Sequence, residues 1–154
     1  MSDRYGFELP MLLARAFRGL IDDLHAELSR CGHPDARPIH GFALQAIGAE
    51  GTTVSELGRR LGVSKQAASK TAASLESVGY ASRIADPRDA RATTLIRTPR
   101  GTEMLALSAE IFERLRGDWV RQLGEARVAA LEDDLETVVG RTGPRLGDLP
   151  GWLR

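Results

Sequence analysis

The residues with the most specific chemical character lie in the segment SKQAASK, from Ser64 to Lys70. If that segment is helical, Gln66, Ser69 and Lys70 share one face, with Ser64 and Lys65 at the N-terminus. Glutamine can pair with an adenine edge, lysine with guanine or phosphate, and serine with either, while a helix N-terminus favours phosphate. The pattern therefore indicates DNA contact. Taken alone, a solvent-exposed polar helix face explains it equally well.

The charge distribution adds to this interpretation. The chain has 154 residues with 21 basic and 21 acidic side chains, so its formal net charge is zero. Residues 55–100 nevertheless hold nine basic and four acidic side chains, which leaves both flanks acidic. A basic segment inside a neutral protein is typical of a nucleic-acid contact surface, and an ordinary solvated surface is the alternative.

The sequence offers little for catalysis. It contains no P-loop, no GxGxxG and no GxSxG motif. Asp22-Asp23 and Asp133-Asp134 are adjacent carboxylates, which point apart on a helix and do not form an acid–base pair. We therefore predict that the protein is not an enzyme, with no catalytic residue and no cofactor.

The potential metal ligands are three histidines and one cysteine, and their spacing fits no metal site that we can identify. We expect surface or helix-end positions for His25, His33 and His40, and no metal. Cys31 is expected to be a buried or inert thiol, because reactivity needs both access and a lowered pKa.

The broad class of protein follows from composition. Hydrophobic residues make up 42% of the chain, enough for a core, and no apolar run approaches the length of a membrane span. The N-terminus lacks the basic start and apolar run of a signal peptide. A single-domain cytoplasmic protein that does not enter a membrane is the expectation.

Apolar periodicity predicts the elements that must position SKQAASK. Thr53 and Glu56 fit a capping box, and Ser64 can cap the helix that follows. An irregular tail is expected from residue 140 onward. The predicted elements are helices over about 8–30, 39–47, 54–61 and 65–78, strands over 80–84 and 93–98 around a polar tip at 86–91, and helices over 99–123 and 128–138.

The order of these elements predicts the fold class. The short Leu61-Gly-Val-Ser64 link has the spacing of a helix-turn-helix, and a hairpin directly after its second helix indicates a winged helix. The fold is therefore predicted to be mainly α with a small β-hairpin wing. The apolar stripes of the outer helices would be hard for a monomer of this length to cover, which predicts a dimer.

At this point the sequence resembles the MarR-type transcriptional regulators. The resemblance rests on LGVSKQAASK, LESVGYASR, DPRDAR and TPRG, and with flanking helices it covers roughly residues 8–140. It implies a homodimer that binds double-stranded DNA, with the terminal helices as the dimer interface. The implied division is one domain over 1–154, with a winged helix-turn-helix over 36–100 and a helical dimerisation region over 8–31 and 100–140.

Two positions depart from the family pattern. Ala90 stands where many members have a second arginine, and Arg97 stands where many have leucine before the threonine. The first difference could weaken contact with phosphate. The second should shift the packing of the wing, or else it marks a one-residue deletion.

The wing supplies the remaining candidate DNA contacts. A wing tip reaches the groove beside the recognition helix, and an arginine suits a narrow minor groove. The resemblance points to Arg91 for this role, with Arg88 as a second contact. Asp89 is expected to orient Arg91 or Arg88 through a charge-assisted hydrogen bond.

The family resemblance also implies a regulatory ligand. Members usually repress transcription and often release DNA when a small phenolic or other molecule binds. A pocket is expected where the dimerisation helices meet the winged part, and Arg15, His40 and Phe42 could line it. Core or surface roles explain each of these three residues at least as well.

The predicted function is thus a sequence-specific regulator, a repressor released by a small molecule, acting as a homodimer on a pseudo-palindromic operator. One alternative is a protein-interaction adaptor or dimerisation module that keeps the fold without binding DNA. Another is an enzyme that uses the winged helix only to dimerise. The chain length argues against the enzyme, and the intact basic face argues against the adaptor.

Overall fold

The computed structural model describes residues 5–140, apart from the side chains of residues 90–92. Six helices and a two-stranded antiparallel hairpin occur in this part of the chain, which confirms the predicted fold class. All of the predicted irregular tail beyond Gly140 lies outside it. The elements are α1 (Glu8–Arg30), α2 (Pro38–Ile47), α3 (Val54–Leu61), α4 (Lys65–Ser77), β1 (Ala81–Asp86), β2 (Asp89–Arg97), α5 (Pro99–Leu123) and α6 (Glu125–Val139).

Local side-chain caps set the starts of three helices. Thr53, Ser64 and Thr98 each accept a hydrogen bond from the backbone N–H three residues later. Only half of the predicted capping box forms, because the carboxylate of Glu56 accepts hydrogen bonds from Arg59 and Arg60 rather than from the backbone of Thr53. An arginine one turn away competes successfully for that carboxylate.

The hydrophobic core lies between α2, α3, α4 and the base of the hairpin. It is built from fully buried side chains such as Leu44, Leu57, Leu75 and Tyr80, and α1 and α5 add buried residues to the same cluster. Helices α3 and α4 approach closely at Gly58, where a Cβ would lie 3.3 Å from the Cβ of Ala68. The core therefore holds the two helices of the helix-turn-helix against each other.

The hairpin is longer and its turn tighter than predicted. The turn consists of Pro87 and Arg88 alone, and Asp86 pairs with Asp89 across it. The pairing register shifts between Ala85 and Asp86, so β2 takes up residues that the sequence pattern assigned to a polar tip. An irregular register of this kind leaves no signature in alternation of side chains.

Two contacts fasten the base of the hairpin to the helices. Thr52 exchanges two backbone hydrogen bonds with Leu95, at 2.9 and 2.8 Å. Gly51 makes this approach possible, since its φ is +82° and a Cβ there would lie 2.6 Å from the carbonyl oxygen of Leu95. Arg97 donates from Nε to the carbonyl oxygen of Leu44 at 2.8 Å. The arginine at this position therefore ties the base of the wing to α2.

The outer helices pack less completely. Helix α6 folds back on α5, where Arg116 donates hydrogen bonds to both Glu125 and Glu132 and Val128 is buried. Much of the predicted apolar stripe of α6 stays exposed: Val138 is 83% exposed. The start of α1 is similar, with Leu9 64% exposed. These faces are apolar and uncovered in the single chain.

Candidate nucleic-acid interface

Helix α4 separates its residues cleanly into two faces. Its buried residues are Ala68, Thr71, Ala72 and Leu75. The residues predicted to meet DNA all lie on the exposed side: Ser64, Lys65, Gln66, Ser69 and Lys70. The predicted outward face of this helix is therefore the observed one, and its exposed side chains include several short ones.

Five of the nine basic residues in the 55–100 segment are engaged in holding the fold. Arg59 and Arg60 bind Glu56, and their hydrogen bonds lower the pKa of that carboxyl to about 2. Arg83 pairs with Glu76. As described above, Arg97 binds a backbone carbonyl, and Arg100 does the same at Gly32.

The remaining cations of that segment are the predicted contact residues. No acidic partner is found for the side chains of Lys65, Lys70 and Arg88 within the described part of the chain. The fold thus divides the basic segment into arginines that bind a carboxylate or a backbone carbonyl, and exposed cations on α4 and the wing turn for which the described residues hold no acidic partner.

One further cation belongs to this surface and escaped the sequence analysis. Arg37, the N-cap residue of α2, lies across a groove of about 270 Å³ from Lys70, and no described acid pairs with it. The rest of its lining is Ile39, Val63 and Ala67 together with the hydroxyl-bearing residues Thr71 and Ser74. Arg37 precedes the basic segment in sequence, and only the packing of α2 beside α4 brings it there.

The wing presents Arg88 at its turn. The side chain of Arg88 is exposed, and its backbone N–H donates to Oδ1 of Asp86 at 2.8 Å, which orders the turn. Asp89 is also exposed. The backbone of Arg91 belongs to β2 rather than to the turn, and its side chain lies outside the described part of the structure. The roles predicted for Asp89 and Arg91 stay predictions.

Comparison with known proteins decides the type of domain. Residues 37–92, from the start of α2 into β2, match the sequence model of the MarR family. The matched stretch, which spans α2, α3, α4, β1 and the start of β2, is similar to the MarR-family domain. Comparison with curated protein sequences gives no match.

Solved structures extend the likeness in fold to most of the chain. A MarR-family transcriptional regulator from Rhodococcus sp. RHA1 aligns with a TM-score of 0.65 at 19% identity, covering 92% of this chain and 99% of that one. MarR from E. coli aligns at 0.63 and 23%, covering 86% and 97%. A mutant of S. aureus MepR bound to an oligodeoxyribonucleotide aligns at 0.60 and 18%, covering 88% and 97%. The terminal helices therefore belong to the same fold as the MarR-type core.

The three residues predicted to line an effector pocket are not brought together. Arg15 lines a cavity of about 300 Å³ between α1 and α5, which also contacts Asp23, Asp118 and Trp119. Neither His40 nor Phe42 lines that cavity: His40 is fully buried, and Phe42 packs against the core. The cavity lies within the terminal helices of the MarR-type fold rather than at their junction with the winged part.

Two of the histidines lie near helix ends, as one of the two expectations has it, but not at the surface: His33 follows the C-cap of α1 by two residues, and His40 lies in the first turn of α2. His33 and His40 are 2% and 0% exposed, and both rings lie against Tyr80, at centroid distances of 5.6 and 5.7 Å. His33 Nδ1 lies 3.0 Å from the Tyr80 hydroxyl, and His40 Nε2 lies 2.9 Å from the Ser74 hydroxyl. Burial, with smaller contributions from Arg37 and His25, lowers the pKa of His40 to about 4. His40 is therefore neutral at physiological pH.

The sequence predicts a buried or inert thiol at Cys31; the thiol is not buried, and its inertness stays a prediction. It is exposed at the C-terminal end of α1. In the described residues there is no group of three or more histidine, cysteine or acidic side chains arranged to hold a metal ion. None of the described helices is long and apolar enough to cross a membrane.

Proposed function

We propose that this chain is a sequence-specific DNA-binding transcriptional regulator, a repressor that acts as a homodimer on a pseudo-palindromic operator. The observation that carries the proposal is the placement of charge. Lys65, Lys70 and Arg88, for which the described residues hold no acidic partner, stand on the exposed face of α4 and on the wing turn, beside polar side chains able to meet base edges. A surface of this kind suits a DNA groove and its phosphates.

The uncovered apolar faces of the outer helices support a homodimer. Large apolar side chains are exposed at the start of α1 and at the end of α6. Exposed apolar surface of this kind often marks a site of protein–protein contact. Two copies joined there would place two copies of α4 on one duplex, and a twofold protein matches a pseudo-palindromic site.

The cavity between α1 and α5 supports release of the repressor by a small molecule. Its volume of about 300 Å³ is at the lower end of ligand pockets. Its lining offers the guanidinium of Arg15, the indole of Trp119 and two carboxylates, and both helices belong to the region proposed to dimerise. A ligand there would act on DNA binding through the spacing of the two copies. No catalytic step is part of this function.

The test begins with selection of a binding site from a random duplex library by the full chain. Affinity for the selected duplex is then measured by fluorescence anisotropy over a salt series. Lys70→Ala should weaken binding to all duplexes and flatten the salt dependence by about one unit, if it contacts a phosphate. Gln66→Ala should relax sequence preference at a cost of about 1–3 kcal/mol, because a bidentate base contact is lost.

Arg59→Ala is the matched control for charge. Arg59 is an exposed arginine on α3 whose charge is already paired with Glu56. It should have a smaller effect than Lys70→Ala if contact rather than net charge matters. Salt-sensitive, sequence-selective binding supports the regulator, whereas absence of any selected duplex favours an adaptor. Unchanged affinity and selectivity in both α4 variants would contradict the placement of this helix.

A further inference from the structure

The buried face of α4 is unusually poor in side chains that could fix its rotation. Three of its four buried residues, Ala68, Thr71 and Ala72, are small, and Leu75 alone is large. Small side chains let two helices approach closely, but each makes few van der Waals contacts. Rotation of the helix therefore breaks few contacts. A helix that presents specific atoms to DNA needs a directional contact in addition to this packing.

His40 supplies a directional contact to α4. Its ring is fully buried, and Nε2 lies 2.9 Å from Oγ of Ser74. The backbone N–H of Arg37 donates to Nδ1 at 3.1 Å, so Nδ1 has no hydrogen and the proton of the neutral ring is on Nε2. The ring therefore donates to the Ser74 hydroxyl and is fixed at its other nitrogen by the first turn of α2.

Tyr80 fixes the plane of the same ring. The two rings meet edge to face with their planes at 75°. Ser74 in turn stands one helical turn after Lys70 on α4. A change in the His40–Ser74 contact would therefore rotate or shift the part of α4 that carries Lys70 and, one more turn away, Gln66.

We infer that His40 is a positioning residue for DNA recognition, which sets the rotation of α4 through its hydrogen bond to Ser74. This inference rests on the proposed function, since it assumes that α4 enters a DNA groove. It assigns to His40 a role different from lining an effector pocket. His40 touches no DNA and acts only through the direction in which Gln66 and Lys70 point.

A merely structural hydrogen bond would have a different signature. Its loss lowers the stability of the fold, and replacing both partners by apolar groups restores that stability. DNA selectivity would then recover together with stability. If the hydrogen bond positions the helix, the apolar pair should restore the stability of the fold but not the selectivity for DNA. The apolar pair fills the space without fixing the rotation of the helix.

The experiment uses the full-length chain and compares three variants. They are Ser74→Ala, Ser74→Thr, which keeps the hydroxyl, and the pair His40→Leu/Ser74→Ala. For each variant, the melting temperature is measured along with the affinities for the duplex selected by the wild type and for a scrambled duplex of equal length.

We expect Ser74→Ala to reduce the ratio of the two affinities about tenfold, with binding to the scrambled duplex unchanged. Ser74→Thr should restore the ratio. The apolar pair should melt at a higher temperature than Ser74→Ala while its ratio stays low. An unchanged ratio in Ser74→Ala, or a ratio that recovers in the apolar pair, would overturn the inference.

The outcomes also separate this inference from the proposed function. A wild-type chain that selects no duplex contradicts both. A wild-type chain that selects a duplex, combined with a Ser74→Ala chain of equal selectivity, contradicts the role of His40 alone.

Discussion

The winged part buries most of its large apolar side chains, whereas the ends of the outer helices leave theirs exposed. In the winged part, Leu44, Leu57 and Leu75 are fully buried, and the hairpin is tied down by Thr52 and Arg97. In the outer helices, apolar side chains at the start of α1 and the end of α6 face outward. Most apolar side chains of the winged part are covered within one chain, whereas those at the start of α1 and the end of α6 stay exposed.

If the chain dimerises as proposed, the two parts depend on different equilibria. Buried leucines in the winged part contribute to folding at any protein concentration. The outer faces would contribute only when two chains associate, so their effect on stability would depend on concentration.

The largest test of the difference is removal of residues 125–154, which deletes α6 and the tail. Without α6, the apolar side of α5 is exposed and part of the proposed dimer interface is missing. The truncated chain should therefore be monomeric or insoluble. Sedimentation measures the outcome. A truncated chain that remains a stable dimer would show that the interface lies elsewhere.

A pair of leucine substitutions sharpens the comparison. Leu57→Ala should lower the free energy of unfolding by about 2–5 kcal/mol, because it opens a cavity in the closed core. Leu9→Ala removes an exposed side chain on α1 and should have a small effect that grows with protein concentration. Urea unfolding at two concentrations tests both variants. Equal, concentration-independent losses would contradict the distinction.

Acid should weaken the winged part through its buried histidines. The pKa of His40 is about 4 in the folded chain and about 6.5 when unfolded, so the unfolded chain binds the proton first. The stabilisation is complete above pH 6.5 and is lost as the pH falls towards 4. The free energy of unfolding should fall by about 2 kcal/mol from this group between pH 7 and 5.

His40→Asn is the control for the pH test, because asparagine does not titrate. Burial also lowers the pKa of His33 and His25, so a smaller loss of the same sign should remain in that variant. Urea unfolding at pH 7 and pH 5 measures the change in the free energy of unfolding for the wild type and for His40→Asn. A wild-type stability that does not change over this range would contradict the buried, neutral state of His40.

The smallest expected effects are at the wing. Arg91→Ala should lower the salt slope of operator binding by about one unit, while melting temperature and dimerisation stay the same. Asp89→Ala should weaken binding too, although it removes a negative charge, if Asp89 orients a neighbouring arginine. Fluorescence anisotropy over a salt series distinguishes an orienting role of Asp89 from a purely electrostatic effect of its charge. Tighter binding by the Asp89 variant would refute the orienting role.

The features predicted correctly from the sequence are those that local chemistry decides. Thr53 and Ser64 cap helices with their own hydroxyls, and the outward position of Gln66 and Lys70 follows from helical periodicity. Each depends on residues within about two turns of the chain. The helix order and the hairpin after α4 were predictable for the same reason.

The features that were missed depend on distant partners. The buried ring of His40 is hydrogen-bonded to the hydroxyl of Ser74, which lies 34 residues further along the chain. Arg97 is hydrogen-bonded to the carbonyl oxygen of Leu44, 53 residues away. The turn at Pro87 and Arg88 arises from a register shift that alternation does not encode. Arg37 joins the basic surface only because α2 packs beside α4. Spacing along the chain contains none of this information.

The tie between Arg97 and α2 has a consequence for how such a molecule would leave its partner. Arg97 links the base of the hairpin to α2, and His40 links α2 to α4. If the chain dimerises as proposed, a change in the angle between the two copies would move α4 and the base of the wing of each copy in the same direction, because both are joined to α2. The DNA contacts of the helix and of the wing would then be lost together.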